Sequence, residues 1–230
     1  MKTLVIDTSL AVGTVAALDG DRISQRSLPT AGEHARLLAT ALVDVAAALG
    51  WRCGDAELVA VVRGPGSFTG LRVGVTTAKA LCWTVGSRLL GVSAAEAIAA
   101  GTAAAVGRHD APVAVPFDAG RGDLFVSVVV PDPRSPSGWT VASGGLVTAR
   151  DWLAGLAADT LVGGPGLAVL AAAFAARPDL VVAPPEAWLP AAAEIGRIAR
   201  LRAAAGEADD PATLVPDYIR PSYAEEPARP

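Results

Sequence analysis

The residues best suited to chemistry in this 230-residue chain lie in a glycine-rich loop between a predicted strand and a predicted helix. The glycine-rich loop, residues 63–74, reads Arg63-Gly64-Pro65-Gly66-Ser67-Phe68-Thr69-Gly70-Leu71-Arg72-Val73-Gly74. A turn from a strand into a helix offers backbone N–H groups to an anion such as phosphate. The spacing argues against a nucleotide loop, because Gly70 comes one residue late for a dinucleotide fingerprint. Lys79 also lies too far into the helix for a Walker loop.

Local structure alone can also explain this loop. Pro65 and the glycines fit a tight turn, Ser67 or Thr69 fits a helix N-cap, and Phe68 is expected to fill the core. Turns of this kind outnumber anion sites, so the residues by themselves favour the structural explanation.

The remaining reactive side chains do not indicate a metal site or a serine nucleophile. The two histidines, His34 and His109, cannot form a ligand pair at helical spacing, and His34 is expected in a solvated first helical turn. Ser67 is not in a G-x-S-x-G elbow, and the sequence identifies no base for it. We therefore predict no catalytic residue, no metal and no cofactor.

Composition restricts the partners of the chain. The net charge is −4 and the only lysines are Lys2 and Lys79, whereas a surface that holds RNA needs clustered cations. Cys53 and Cys82 are expected to be free thiols rather than a disulfide. The N-terminus has no features of a secretion signal, and no apolar run is long enough to span a bilayer. These features predict a soluble cytoplasmic protein with no membrane contact.

The elements that must position these residues follow one order twice along the chain: three strands, then helix, strand, helix, strand and helix. Capping boxes at Thr30–Glu33 and Ser93–Glu96 are predicted to open two of the helices. The repeat predicts the duplicated ribonuclease-H-like α/β fold of actin, Hsp70 and sugar kinases, with mixed sheets and two lobes. The predicted strands are 4–6, 13–18, 23–28, 58–62, 89–92, 113–118, 124–130, 139–148, 161–162 and 180–182; the predicted helices are 34–49, 71–85, 166–176 and 187–205, with two more beginning near 93 and 149.

The lobes are predicted to divide the chain near residues 105 and 210. Residues 1–105 form the first lobe, residues 106–210 the second, and residues 211–230 an arm that returns to the first lobe. The last residues, 224–230, are expected to be disordered.

Active members of this superfamily hold ATP with two D-x-G hairpins and a Gly-Gly turn, and the chain has partial counterparts. Asp7-Thr8-Ser9 lacks the glycine that would let the backbone approach phosphate. Asp118-Ala119-Gly120 supplies the second D-x-G, and Gly163-Gly164 supplies a candidate turn against adenine. We interpret these residues as a vestigial nucleotide cleft. The alternative is an active small-molecule kinase that uses Asp7, Asp118 and Gly163-Gly164.

The sequence closely resembles the TsaB/YeaZ family. The resemblance rests on the glycine-rich loop, whose residues Gly64 to Gly70 and Arg72 match the family's signature, and on Ile6-Asp7-Thr8-Ser9. It rests also on residues 118–125 and on the C-terminal Pro216-Asp217-Tyr218-Ile219-Arg220; Gly120 departs from the pattern.

This resemblance implies a non-catalytic subunit in the synthesis of N6-threonylcarbamoyladenosine at position 37 of tRNAs that read ANN codons. It implies a TsaD-like transferase partner, a TsaE-like P-loop ATPase, homodimers when the chain is alone, and only indirect contact with tRNA. The catalytic relative TsaD carries an H-x-x-x-H metal motif that this chain lacks, so a metallopeptidase-like hydrolase is the weakest alternative.

The helices at 34–49 and 71–85 are apolar over most of their circumference. Either the other lobe covers them or they form a protein interface, and the pattern favours neither. The family resemblance favours the interface, because TsaB-like proteins pair through these helices. Val75→Glu is then expected to abolish pairing without unfolding the chain. The predicted interface residues are Ala39, Val43, Ala46, Arg72, Val75, Thr76, Lys79 and Trp83.

Overall fold

The computed structural model describes residues 1–28 and 33–218. They form two five-stranded mixed sheets, one in each half of the chain, and six α-helices. The elements are β1 (Thr3–Asp7), β2 (Gly13–Asp19), β3 (Arg22–Leu28), α1 (His34–Ala48), β4 (Leu58–Gly64), α2 (Phe68–Val85), β5 (Arg88–Ser93), α3 (Ala94–Val106), β6 (Val113–Gly120), β7 (Asp123–Pro131), β8 (Trp139–Thr148), α4 (Ala149–Gly155), β9 (Leu161–Val162), α5 (Ala171–Ala175), β10 (Val181–Val182) and α6 (Ala192–Ala204).

The first sheet combines an antiparallel meander with two parallel strands, in the order β3-β2-β1-β4-β5. The meander turns at Asp19-Gly20, where Gly20 takes a φ of +58° that suits a hairpin. β1 pairs in parallel with β4, and β4 with β5. All five residues of β1 are buried, as expected of a strand with helices on both faces.

The second sheet repeats the topology of the first. Its order, β8-β7-β6-β9-β10, is again third, second, first, fourth and fifth strand of the half. β6, β7 and β8 are antiparallel, and β9 and β10 join in parallel. The duplicated α/β fold predicted from the sequence is therefore confirmed.

The helices form three layers around the two sheets. α1 and α2 pack on the outer face of the first sheet, through residues such as Leu42 and Ala78. α3 and α6 pack on its inner face, and α3 also contacts β6, β7 and β8 of the second sheet. α4 and α5 cover the far face of the second sheet. The second lobe therefore lies on the side of the first sheet opposite to α1 and α2.

α6 departs from the predicted division into lobes. The sequence order places it in the second lobe, residues 106–210, but it packs against β1, β2, β4 and β5 of the first sheet and against α3. Ile195 and Ile198 are fully buried in that contact. The divisions at 105 and 210 remain predictions, and residues 192–204 belong by packing to the first sheet.

Three helices differ locally from the prediction. α2 begins at Phe68 rather than near residue 71, because the Ser67 hydroxyl caps it by accepting a hydrogen bond from the Gly70 N–H at 3.4 Å. Residues 166–176 divide into a 3₁₀ turn, Pro165–Val169, and α5. α6 begins at Ala192 rather than near 187, because Pro190 disfavours helical backbone at the residue before it.

The described part of the C-terminal arm, residues 211–218, lies on the first lobe, where Leu214 is 5% exposed among residues of the α2 side of the core. The predictions for Thr30, Ile219, Arg220 and residues 224–230 fall outside the described residues. No helix in the described part of the chain has the length and apolarity needed to cross a membrane.

Candidate functional site

The glycine-rich loop packs directly against the first hairpin, Asp7-Thr8-Ser9. The Ser67 N–H donates to the Ser9 carbonyl at 2.7 Å, and the Thr8 hydroxyl donates to the Gly70 carbonyl at 2.7 Å. A Cβ at Gly66 would lie 2.5 Å from the Ser9 carbonyl oxygen. Cβ atoms at Gly70 and Gly74 would collide with the carbonyl and hydroxyl of Thr8. The three glycines therefore let two backbones meet, and the helix N-terminus is occupied by the chain itself.

Asp7 is bound within this contact. Its Oδ1 accepts hydrogen bonds from the Ser9 N–H at 2.9 Å and the Ser9 hydroxyl at 2.6 Å. Burial raises the pKa of Asp7 above its usual range, while the hydrogen bonds from Ser9 and the nearby His34 act in the opposite direction. Asp7 thus serves as an internal acceptor that shapes the turn.

The sequence predicts a solvated His34, but the structure buries it. Its side chain is 4% exposed, and its Nε2 has no hydrogen-bond partner among the described residues. A Cβ at Gly13 would lie 3.3 Å from the imidazole, so the ring packs on the backbone of β2. His34 also lines a small cavity of about 340 Å³ together with Thr8, Leu10, Ala35, Ser67, Thr69, Gly70 and Val73.

Phe68 was predicted to fill the core, but it lies on the surface. It is 38% exposed, and its ring stacks on Tyr218 of the arm with centroids 4.7 Å apart. The guanidinium carbon of Arg72 lies 3.8 Å from the Phe68 centroid and 5.7 Å from the Tyr218 centroid. Arg72 Nε donates to the Tyr218 hydroxyl at 2.9 Å. We name these three residues the Arg72 cluster.

Further contacts hold the arm on the first lobe. The Asp217 N–H donates to the Arg63 carbonyl at 2.7 Å, and the Arg63 and Asp217 side chains form an ion pair at 2.9 Å. A side chain at Gly64 would collide with Asp217, so this glycine too permits a close approach. Lys79 Nζ donates to the carbonyls of Ala212 at 3.4 Å and Leu214 at 3.1 Å.

The predicted interface residues divide between the core and the surface. Ala46 and Val75 are 0% and 3% exposed, which corrects their assignment, because both face the first sheet rather than solvent. Trp83 is 67% exposed, the highest value for a large apolar side chain in the described residues, and Val43 is 57% exposed. Ala39, Arg72 and Thr76 are also exposed, and Lys79 is half-buried. The exposed members remain candidates for an interface.

The second lobe does not cover these exposed members. The second sheet and α3 lie across the first sheet from α1 and α2, so the outer sides of the two helices have no cover from the described second lobe. Of the two explanations for their apolar character, coverage by the other lobe does not fit the structure.

Of the residues of the vestigial nucleotide cleft, Thr8 lines the small cavity beside His34, and the lining of the larger cavity described below includes none of them. Asp118 is exposed and accepts a hydrogen bond from the Gly120 N–H at 2.8 Å. A Cβ at Gly163 would collide with Thr102, and one at Gly164 would lie 2.7 Å from the Pro116 carbonyl oxygen. These two glycines therefore serve internal packing.

A larger cavity of about 860 Å³ lies between the two sheets, and the sequence did not indicate that its lining residues come together. Arg63, Glu96 and Arg202 come from one side and Phe125 and Arg134 from the other. Burial raises the pKa of Glu96, which the nearby Arg202 and Arg63 counteract. Glu96 was interpreted as part of a capping box, and the sequence gives no sign of neighbours more than a hundred residues away.

Within residues 1–28 and 33–218, no three His, Cys, Asp or Glu side chains are grouped in a way that could hold a metal. Cys53 is half-buried and Cys82 is buried, and neither forms a disulfide. Burial raises the pKa of the Cys82 thiol to about 11, which makes it a poor nucleophile near neutral pH.

The fold and the site define a class: a two-lobed α/β protein of the actin/Hsp70-like type, whose first hairpin is closed by its own glycine-rich loop. Residues 29–130 match the family model described as TsaD, tRNA N6-adenosine threonylcarbamoyltransferase. The structure is similar to that of YeaZ from Pseudomonas aeruginosa, with a TM-score of 0.77 and 22% identity over 95% of this chain and 99% of that one. A second solved structure, of an uncharacterized protein with similarity to peptidase YEAZ from Pseudomonas aeruginosa, gives a TM-score of 0.73 and 24% identity over 95% and 99% of the two chains.

Two curated relatives match parts of the chain. The chain is 40% identical over 75 residues to the tRNA threonylcarbamoyladenosine biosynthesis protein TsaB of Bacillus subtilis (strain 168), covering 32% of this chain and 31% of that protein. It is 30% identical over 101 residues to the protein of the same name from Escherichia coli (strain K12), covering 44% of each. The matching segments thus span less than half the length of either relative. Together with the shared fold, these matches support the resemblance to the TsaB/YeaZ family that the sequence shows.

Proposed function

We propose that this chain is a non-catalytic subunit in the formation of N6-threonylcarbamoyladenosine at position 37 of tRNAs that read ANN codons. It would pair with a TsaD-like transferase and work with a TsaE-like P-loop ATPase, contacting tRNA only through them. When the transferase is absent, the same surface would pair two copies of the chain.

The observation that carries this proposal is the closure of the first hairpin by the glycine-rich loop. In this position a kinase would hold phosphate, but here the Ser67 N–H donates to the Ser9 carbonyl, and the Thr8 hydroxyl donates to the Gly70 carbonyl. Asp7 is 2% exposed and bound to Ser9. This arrangement supports a non-catalytic role, in which the protein acts through its shape and its binding surface.

The outer side of α1 and α2 supports the pairing. Trp83 and Val43 are exposed there with small neighbours such as Ala39, which would let a partner helix approach closely. Tryptophan and arginine are the residues most often found to dominate the binding energy of interfaces.

The proposal is tested by co-purification followed by calorimetry. The tagged chain is recovered from its native cytosol, the proteins recovered in comparable amounts are identified, and the purified transferase subunit is titrated with the chain. We expect a TsaD-like protein and loss of at least about tenfold in affinity for Trp83→Glu. The melting temperature should stay unchanged because the side chain is exposed.

Val169→Glu is the matched control, since Val169 is 61% exposed but lies in the second lobe. It should leave pairing intact. A chain that purifies alone, and that binds ATP with an affinity lost on Asp7→Ala, would overturn the proposal in favour of a kinase.

A further inference from the structure

The C-terminal arm presents Arg72 in a fixed orientation at one end of α2. The guanidinium packs over the Phe68 ring, which itself contacts the Tyr218 ring, and its Nε donates to the Tyr218 hydroxyl. Within residues 1–28 and 33–218, neither Nη atom of Arg72 has a hydrogen-bond or ion-pair partner. Stacking and one hydrogen bond thus fix the side chain and leave the two-nitrogen end available, which is the end that binds a carboxylate in bidentate fashion.

The rest of the arm keeps Tyr218 in place. Leu214 is buried in the first lobe, Lys79 binds two arm carbonyls, and Asp217 is bound to Arg63 through backbone and side chain. The immobilisation of Arg72 is therefore established before any partner binds, which lowers the entropy lost on binding.

We infer that the Arg72 cluster is the polar anchor of the pairing surface, with Tyr218 as its positioning residue, and that it binds a carboxylate on the transferase subunit. This inference rests on the proposed function. Arg72 and Trp83 are both exposed on α2, so the anchor is continuous with the apolar part of the proposed surface.

The charge of the chain favours a carboxylate over the phosphates of tRNA. The net charge is −4, and binding of nucleic acid requires several cations acting together. The nearby cation on α2, Lys79, is half-buried and already bound to arm carbonyls. The single oriented guanidinium of Arg72, with both Nη atoms available, matches one planar carboxylate better than it matches a phosphate backbone.

The test is titration calorimetry of the full chain with the purified transferase subunit at low and high KCl. Arg72→Ala should weaken pairing by at least about tenfold, and Arg72→Lys by about fivefold because lysine cannot bind in bidentate fashion. Tyr218→Ala should resemble Arg72→Lys. Tyr218→Phe, which retains the stacked ring, should cost only about threefold. Arg150→Ala, an exposed arginine on α4, is the matched control and should have no effect.

The salt dependence of the affinity distinguishes an anchoring role of Arg72 from a purely structural one. The affinity of the wild-type chain should fall with KCl, and Arg72→Ala should flatten that dependence, whereas Trp83→Ala should weaken pairing without flattening it. If Trp83→Ala weakens pairing but the Arg72 and Tyr218 variants stay within twofold of wild type, the anchor is wrong and the proposed function stands. If the wild-type chain does not bind the transferase, both fail. Loss of tRNA affinity on Arg72→Ala with pairing unchanged would assign the anion to RNA and overturn the inference.

Discussion

Gly70→Ala tests the idea that glycines of the glycine-rich loop exist to let two backbones meet. Gly70 is the third residue of α2, and a Cβ there would collide with the carbonyl of Thr8, which is backbone and cannot rotate away. Relieving the collision should also lengthen the hydrogen bond from the Thr8 hydroxyl to the Gly70 carbonyl, now 2.7 Å. Overpacking costs about 1–3 kcal/mol and the hydrogen bond about 1 kcal/mol, against a gain in helix propensity of about 1 kcal/mol at most.

The net loss of about 1–3 kcal/mol corresponds to a fall in melting temperature of roughly 2–12 °C for a chain of this size. Thermal and urea denaturation followed by tryptophan fluorescence would measure it. Gly101→Ala is the matched control: Gly101 lies within α3 and a Cβ there would meet nothing within 4 Å, so stability should stay equal or rise. A Gly70→Ala chain as stable as Gly101→Ala would refute the reasoning.

Three further predictions concern buried groups. Because the folded pKa of Asp7 lies above its unfolded value, the folded chain holds that proton more tightly and loses stability as pH rises through this range. Asp7→Asn should therefore stabilise the chain more at pH 7 than at pH 4 in thermal denaturation; an equal effect at both would contradict this. Val75→Glu places an unpaired charge in the core and should lower the melting temperature by about 10 °C; an unchanged value would return Val75 to the pairing surface. At pH 8 the thiolate fraction of Cys82 should be about a hundredfold below that of a thiol at its ordinary pKa. A disulfide reagent should therefore modify Cys82 quickly only after denaturation. The half-buried Cys53 should not need denaturation to react.

The sequence predicted the elements and their repeat well, because buried strands and capped helices are encoded by neighbouring residues. Ser93, for example, accepts a hydrogen bond from the Glu96 N–H as the spacing indicated. The buried stripe of α2 was also present in the sequence: Leu71, Val75, Ala78 and Cys82 recur at helical intervals. Val75 could therefore have been assigned to the core, and Trp83 to the surface.

Contacts between distant segments could not be predicted in this way. Phe68 seemed a core residue because its partner, Tyr218, is 150 positions away and no local pattern links the two. His34 seemed solvated because its cover comes from the backbone of β2. Gly163 resembled an adenine turn, whereas its lack of a side chain accommodates Thr102. In each case the residue type is compatible with two structural environments, and only the tertiary packing decides between them.

The position of α6 has a consequence for how the chain folds during its synthesis on the ribosome. The inner face of the first sheet needs Ile195 and Ile198, which are synthesised after the whole second sheet. A nascent chain that ends near residue 105 would expose that face of the sheet to water, with only α3 to cover it. The N-terminal half therefore cannot complete its core during its own synthesis, and it must remain open until almost all of the chain has emerged. Expressed alone, it should be prone to aggregate, and adding residues 106–218 in trans should rescue it only if α6 can reach the sheet.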